Sequence, residues 1–189
     1  IFLFGSRDAW FVVALPVFLA TEMAWSHLQV GAFLAAWVIG YGSIQASAPR
    51  WVGGAVSAKR PTKPPGGQAL VRWTALLLLP LAGLCAALAW DAPTLVSLVF
   101  GLTVFGAIFA TSSAIHSFLI VHYAESDQVS LRVGFYYAAN ALGRLAGTLL
   151  SGLVYQAAGM GVRGLIACIA TSMALVTLSV LATLPLRGK

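Results

Sequence analysis

The sequence predicts an all-helical membrane protein, and three observations lead to that fold class. Of its 189 residues, 60% are hydrophobic and only 8% are charged, whereas soluble domains carry about 25% charged residues. The apolar residues fall into long runs, and a helix needs about 20 of them to cross a bilayer. Turn-forming and basic residues separate the runs. The length therefore allows six membrane-spanning helices with short connections and no soluble domain.

Each predicted span is an apolar run bounded by turn signals. Pro93 suits a first helical turn, while Pro49 and Pro185 suit helix exits. Pro16 and Pro80 fall inside spans and predict kinks there, because neighbouring helices can satisfy the carbonyl that proline leaves free. In chain order, the predicted spans are residues 8–25, 28–47, 70–90, 93–121, 131–156 and 164–186.

The distribution of basic residues predicts the orientation. Alternating connections place only Arg163 on one side of the membrane, and Arg144 stays within it. The positive-inside rule makes the other side cytoplasmic, with both ends of the chain inside and the cell inner membrane as location. Nucleic-acid binders carry a stripe of basic residues interleaved with aromatic ones, and the basic residues of this chain form no such stripe. The cytoplasmic set, which includes the basic loop at residues 48–69, is Arg7, Arg50, Lys59, Arg60, Lys63, Arg72, Arg132, Arg187 and Lys189.

The polar residues of the spans indicate an internal repeat. The third and sixth spans carry no charge beyond their ends, whereas the other four carry polar groups. In each half of the chain, two spans with polar groups are followed by one span without them. This order predicts two inverted three-helix repeats, as in secondary transporters, with the spans that lack polar groups facing lipid. Chance contrast among six helices is the alternative. The polar groups are Glu22, Tyr41 with Gln45, His116 with Ser112 and Ser113, and Asn140 with Arg144.

The fifth span carries one polar stripe. At about 100° per residue, its polar side chains lie within roughly 40° of Arg144. Arg144 lies about 20 Å from the start of the span, close to the bilayer centre, where an unpaired guanidinium is costly. The members of the stripe are Tyr137, Asn140, Arg144, Thr148, Ser151 and Tyr155.

The positions of the acidic residues suggest that the partner of Arg144 is a solute. Asp8, Asp91, Glu125 and Asp127 are predicted at span ends, and Glu22 near the outer end of its span. The sequence therefore predicts an anionic solute, held by the planar donors of the guanidinium. The alternative is that Arg144 braces backbone carbonyls or an acid of an absent half. A carboxylate of this chain already paired with Arg144 would overturn this specific proposal and leave only a generic six-span membrane protein.

Other residues are candidates for packing, lining or gating. A ridge of Ala139, Gly143, Gly147 and Ser151 predicts close helix approach. His116 is a candidate second solute contact or proton carrier, with a satisfied buried histidine as the alternative. Tyr41 and Gln45 are predicted to line a cavity. Arg7 and Asp8 are predicted to begin the first span and to pair with other segments as a gate or brace, since adjacent helix residues do not face each other; a solvated helix start is the alternative.

The sequence lacks signatures of catalysis. Cys85 and Cys168 stand alone and form no metal-ligand spacing. The GxGxxG match at residues 159–164 follows a membrane helix rather than a strand, so it predicts an outer turn. No HExxH or Walker motif is present. These observations predict neither an enzyme nor a bound cofactor or metal.

Four segments resemble a known family. FLFGSRDAWFVVALP (2–16) and WVIGYG (37–42) resemble the seventh and eighth helices of the organoarsenical efflux (ArsJ) family of the major facilitator superfamily. SSAIHS (112–117) and VGFYYAANALGRLAGTLLSGLVYQ (133–156) resemble its tenth and eleventh helices. The resemblance implies a twelve-helix fold of which this chain is the C-terminal six-helix bundle. The initial Ile1 also suggests that a preceding six-helix half is absent.

The resemblance also implies a function. The family exports 1-arseno-3-phosphoglycerate, made from arsenate by a glyceraldehyde-3-phosphate dehydrogenase, in arsenate resistance. We therefore expect secondary active efflux by alternating access, with Arg144 as anion clamp, Asn140 and Tyr137 as orienting donors, and His116 as a second contact. Two alternatives are a carrier of another anionic or drug-like solute, and a non-transporting membrane subunit whose glycine ridge serves dimerisation and whose Arg144 pairs with a partner's acid.

Overall fold

The computed structural model describes residues 1–48, 50, 65–90, 92–122 and 129–188. Within these ranges the chain forms helices and no strands, which confirms the all-helical prediction. The helices are α1 (Phe2–Phe11), α2 (Ala14–Thr21), α3 (His27–Ser47), α4 (Gly67–Leu76), α5 (Leu78–Ala89), α6 (Thr94–His122), α7 (Val129–Ala157) and α8 (Gly161–Thr183), followed by a 3₁₀ helix at Leu184–Gly188.

Five helical segments are long and apolar enough to cross a membrane, as expected of a membrane protein. They are Phe2–Thr21, His27–Ser47, Gly67–Ala89, Thr94–His122 and Gly161–Leu186. Helix α7 is long enough but is not among them, because polar residues such as Arg132, Asn140 and Arg144 lie along it. The predicted fifth span is therefore a helix that is too polar to be identified as a span by composition.

Two of the segments are interrupted three or four residues before a proline. Pro16 lies in α2, and the chain leaves the helix at Val12 and Val13. Pro80 lies in α5, and the helix is interrupted at Leu77. The proline ring clashes with the carbonyl four residues earlier and supplies no N–H to it, which accounts for both interruptions. The two predicted kinks are therefore present.

The first span begins earlier than predicted. Helix α1 starts at Phe2 rather than at Asp8, and α2 ends at Thr21 rather than near Trp25. The sequence Arg7-Asp8 had suggested a helix start in contact with water. The two side chains instead lie inside the segment, where ion pairs neutralise them, so Arg7 is removed from the predicted set of cytoplasmic loop residues.

Two further helix boundaries have a local explanation, one a cap and the other a turn. Ser26 caps α3 through a reciprocal pair of hydrogen bonds: its Oγ accepts from the Gln29 amide at 3.3 Å, and its own amide donates to Gln29 Oε1 at 2.8 Å. Between α7 and α8 the chain turns at Gly159, Met160 and Gly161, which all have positive φ angles. This turn contains the start of the GxGxxG segment, as predicted.

Helix α1 occupies the centre of the packing. It contacts α7 and α8, while α3 packs on α6 and α5 packs on both α6 and α8. Large buried side chains such as Trp10, Phe18, Phe105 and Phe109 fill the core. The expectation that the third and sixth spans face lipid stays a prediction. The most exposed segment is α3, because it packs on its neighbours along one side only.

Helices α1 and α7 approach closely at glycine positions. A Cβ atom added to Gly147 would lie 2.5 Å from the carbonyl oxygen of Gly5, and one added to Gly143 would overlap the backbone of Ile1. Only glycine permits such contact between backbones. The next residue of this ridge, Ser151, is fully buried, and its Oγ accepts a hydrogen bond of 3.0 Å from the amide of Ala14, where α2 begins.

The orientation remains a prediction. Arg72 and Arg132 lie near the starts of α4 and α7, at the ends where the positive-inside argument placed them. Most of the predicted basic loop at 48–69 lies outside the described residues, and with it the predicted positions of Lys59, Arg60 and Lys63, as do Pro49, Asp91, Glu125, Asp127 and Lys189.

Candidate functional site

The centre of the candidate site is an ion cluster around Asp8. Arg7 Nε donates to Asp8 Oδ1 at 2.6 Å, and Arg144 Nε donates to Asp8 Oδ2 at 3.1 Å. Two expectations are thereby corrected. Arg144 has a carboxylate partner in this chain, because α1 places Asp8 inside the bundle rather than at a span end. Arg7 and Asp8 pair directly despite being adjacent, while Asp8 also pairs with another segment, as predicted, through Arg144.

The cluster is asymmetric in charge and exposure. The Asp8 side chain is 1% exposed, that of Arg7 is 14% exposed, and that of Arg144 is 57% exposed. Each arginine uses Nε for Asp8, and within the described part of the chain neither has another hydrogen bond. Two guanidinium groups against one carboxylate leave a net charge of +1. The earlier argument from an unpaired Arg144 is therefore lost, but an uncompensated positive charge remains.

The cluster opens into a cavity of about 240 Å³. Four helices, α1, α3, α6 and α7, contribute to its wall. Seven of the residues named from the sequence are brought together there: Arg7, Tyr41, Gln45, Ser113, Tyr137, Asn140 and Arg144. The remaining lining residues are Phe4, Ser117 and Tyr136.

Hydrogen bonds and aromatic contacts fix part of the wall. Gln45 Nε2 donates to Ser113 Oγ at 3.4 Å, and the hydroxyl groups of Ser117 and Tyr136 lie 3.1 Å apart. The guanidinium of Arg7 lies 5.5 Å from the ring centroid of Phe109, a cation–π contact that helps to orient it. The wall is thus polar and largely positioned by contacts between helices.

Asn140 contributes an unused hydrogen-bonding atom. Its Oδ1 is buried and has no hydrogen-bond partner among the described residues. Buried polar atoms are nearly always satisfied, so one without a partner calls for water or a ligand. Asn140 lies one helical turn from Arg144 on α7, and both residues line the cavity.

Two predicted solute contacts lie away from this cavity. Thr148 does not line it. His116 lines two neighbouring cavities of about 190 and 440 Å³, and its Nδ1 lies 2.9 Å from the carbonyl oxygen of Ser112. Tyr136 lines all three cavities, and Phe4 and Asn140 line both the Arg144 cavity and the smaller cavity beside His116. His116 thus lies in cavities next to that of Arg144, and its role as a second solute contact stays a prediction.

The predicted stripe on α7 divides into two parts. Tyr137, Asn140 and Arg144 line the cavity, whereas Ser151 and Tyr155 are buried in the packing around α8 and the start of α2. Helical periodicity alone could not separate them, because the position of α1 and α2 decides which part of the stripe is covered.

Sequence reasoning did not identify Phe4, Ser117 and Tyr136 as lining residues. A signal for Ser117 was present, since it lies four residues after Ser113 and so shares a helix face with it. Tyr136 and Phe4 gave no such signal. Each is an aromatic residue within an apolar helix, and only the packing of α1, α6 and α7 brings them to the cavity.

Comparison with models of protein families, with curated proteins and with solved structures finds no match to this chain.

Proposed function

We propose that this chain is part of a membrane carrier that binds a small anion in the cavity beside Arg7 and Arg144 and exports it. The single observation that carries the proposal is the Asp8 cluster, in which two guanidinium groups share one carboxylate at the wall of a polar cavity. The surplus positive charge attracts an anion, and the outer nitrogens of the guanidinium groups offer planar donors that suit oxyanions.

The position of Arg144 supports a polar environment for that cavity. Arg144 lies near the middle of the 29-residue helix α7, and more than half of its side chain is exposed. A guanidinium at the centre of a bilayer is costly in contact with acyl chains. Water, a solute or another polypeptide therefore has to face this part of α7.

The size of the cavity favours a small cargo. Its volume of about 240 Å³ is below the roughly 300–1,000 Å³ of pockets for drug-sized ligands. Together with the resemblance to organoarsenical efflux carriers, this leads us to propose 1-arseno-3-phosphoglycerate as the cargo, in a twelve-helix major-facilitator carrier of which this chain supplies six helices. Other small phosphate esters fit the same chemistry.

A second candidate is a non-transporting membrane subunit. Leu142, Leu145, Leu149 and Leu153 of α7 are each more than half exposed. They flank Arg144 on the same helix, so a partner helix with an acidic residue could cover the leucines and bind the free donors of Arg144. This candidate predicts a stable complex and no movement of solute.

Uptake into inside-out membrane vesicles distinguishes the candidates. Vesicles from cells that make the protein should accumulate radiolabelled 3-phosphoglycerate, a stable analogue of the proposed cargo. The Arg144→Gln variant should lose at least about tenfold in initial rate, because it leaves Arg7 and Asp8 as a neutral pair; a factor of ten corresponds to about 1.4 kcal/mol.

The control removes the same charge elsewhere. Arg163 is exposed at the start of α8 and does not line the cavity, so Arg163→Gln should transport at the rate of the unsubstituted protein. Uptake that is inhibited by lipophilic cations but not by phosphate esters would favour a drug carrier. Equal rates for Arg144→Gln and the unsubstituted protein would contradict the proposed site.

A further inference from the structure

Asp8 blocks part of the positive site that it helps to build. Its two carboxylate oxygens each bind a different arginine, and both bonds go to Nε. Asp8 is also almost fully buried, so solvent does not screen it. Among the described residues, its only acidic companion is Glu22, which is exposed near Gly161 at the opposite end of α2. The Asp8 carboxylate is therefore the single anion of this chain within reach of the two guanidinium groups in the described structure.

A guanidinium binds an oxyanion most strongly through two parallel N–H donors. While Asp8 holds Nε of both arginines, an entering anion can use only the outer Nη atoms, and it approaches a site of net charge +1 rather than +2. Asp8 and the entering anion thus compete for the positive charge of the same two guanidinium groups. The two anions also repel each other, because the buried Asp8 carboxylate is little screened by solvent.

We infer that Asp8 is an internal competitor of the transported anion, which holds Arg7 and Arg144 in place when the cavity is empty and weakens binding of the cargo when it enters. This inference rests on the proposed function. It assigns to a carboxylate inside the site the role of setting affinity, which a carrier has to keep low enough for release. A purely structural Asp8 would instead support binding, because its loss would leave the arginines disordered.

The two roles predict opposite changes in affinity. In the Asp8→Asn variant the side chain keeps its size and loses its charge, so the competitor role predicts binding of 3-phosphoglycerate at least about tenfold tighter. The structural role predicts weaker binding. Isothermal titration of the purified protein in detergent measures the dissociation constant, with glycerol as the uncharged ligand that should not bind.

Glu22→Gln supplies the matched control. It removes one negative charge from a carboxylate outside the cavity, so its dissociation constant should equal that of the unsubstituted protein. A tightening of similar size in Glu22→Gln would show that overall charge, rather than Asp8, sets the affinity, and would overturn the inference.

A second pair of variants covers the case in which two unneutralised arginines prevent Asp8→Asn from folding. Arg7→Gln leaves Asp8 and Arg144 as a neutral pair, and Arg7→Gln with Asp8→Asn leaves Arg144 alone. The double variant should bind 3-phosphoglycerate at least about tenfold more tightly than Arg7→Gln. Equal or weaker binding by the double variant would overturn the inference.

The outcomes separate the two proposals. Binding by the unsubstituted protein that removal of the Asp8 charge does not tighten would overturn the role of Asp8 and leave the anion site intact. Absence of binding by the unsubstituted protein and by all of its Asp8 variants would overturn the proposed function, and the role of Asp8 with it.

Discussion

At the scale of single residues, the most informative difference between sequence and structure concerns Asp8. The polar stripe around Arg144 was predictable because helical periodicity places Tyr137, Asn140 and Arg144 on one face. The partner of Arg144 was not, since an Arg-Asp pair close to the start of an apolar run looks like a solvated helix end. Asp8 is separated from Arg144 by 136 residues, and only the contact between α1 and α7 joins them.

Ser151 provides a test of how a single hydroxyl holds the kinked first span. Its buried Oγ accepts from the amide of Ala14, one of the N–H groups that the start of α2 leaves without a helical partner. Ser151→Ala should reduce the stability of the protein by about 1–3 kcal/mol, the cost of an unsatisfied buried donor. Thermal unfolding in detergent measures this change.

The control for that substitution is Ser43→Ala. Ser43 is exposed on α3, and its Oγ donates to a carbonyl that is already part of the helix, that of Ile39. Its removal should leave the melting temperature unchanged. A Ser151→Ala variant as stable as Ser43→Ala would show that the amide of Ala14 is satisfied by another group.

At the scale of helices, local rules account for most of the observed bounds. Pro16 and Pro80 placed the interruptions of the first and third spans, and the Ser26–Gln29 pair fixes the start of α3. The prediction is wrong for the start of the first span. Charged residues at the start of an apolar run indicate the membrane surface, but ion pairs allow Arg7 and Asp8 to lie inside the bundle.

The contact between α1 and α7 depends on glycine, and Gly147 tests this dependence. In Gly147→Ala the added methyl would lie 2.5 Å from the carbonyl oxygen of Gly5 and 3.1 Å from Cβ of Asp8. The two helices would have to separate, which should cost about 1–3 kcal/mol of stability. It should also weaken binding of 3-phosphoglycerate, because Arg7 moves away from Arg144 and the two guanidinium groups no longer face the same anion.

Gly152, on the same helix, is the control position for Gly147. A methyl added there would lie 4.0 Å from its nearest neighbour, a methyl group of Val13. Gly152→Ala should therefore fold at least as well as the unsubstituted protein, since alanine favours a helix by about 1 kcal/mol over glycine. If both variants behave alike in melting and in binding, the close approach of α1 to α7 is not needed for the site.

At the scale of the whole molecule, composition was sufficient to predict an all-helical protein with helices long enough to cross a membrane. It was not sufficient to predict how much of each helix is buried. Helix α3 carries Tyr41 and Gln45 yet is the most exposed, because burial depends on how many neighbours a helix has rather than on its own polarity. His116 and Arg144 line different cavities although both lie in spans with polar groups, because the packing of the helices decides which residues share a cavity.

The account depends on an anion lying between α1 and α7, against the guanidinium groups of Arg7 and Arg144. Arsenate tests this most directly, because it is a small oxyanion whose arsenic atom can be located by anomalous X-ray scattering in crystals of the protein soaked with it. We predict an anomalous peak in the cavity, with arsenate oxygens about 2.7–2.9 Å from the outer nitrogens of both arginines. A cavity without a peak at saturating arsenate, with Asp8 still bound to both arginines, would contradict the account.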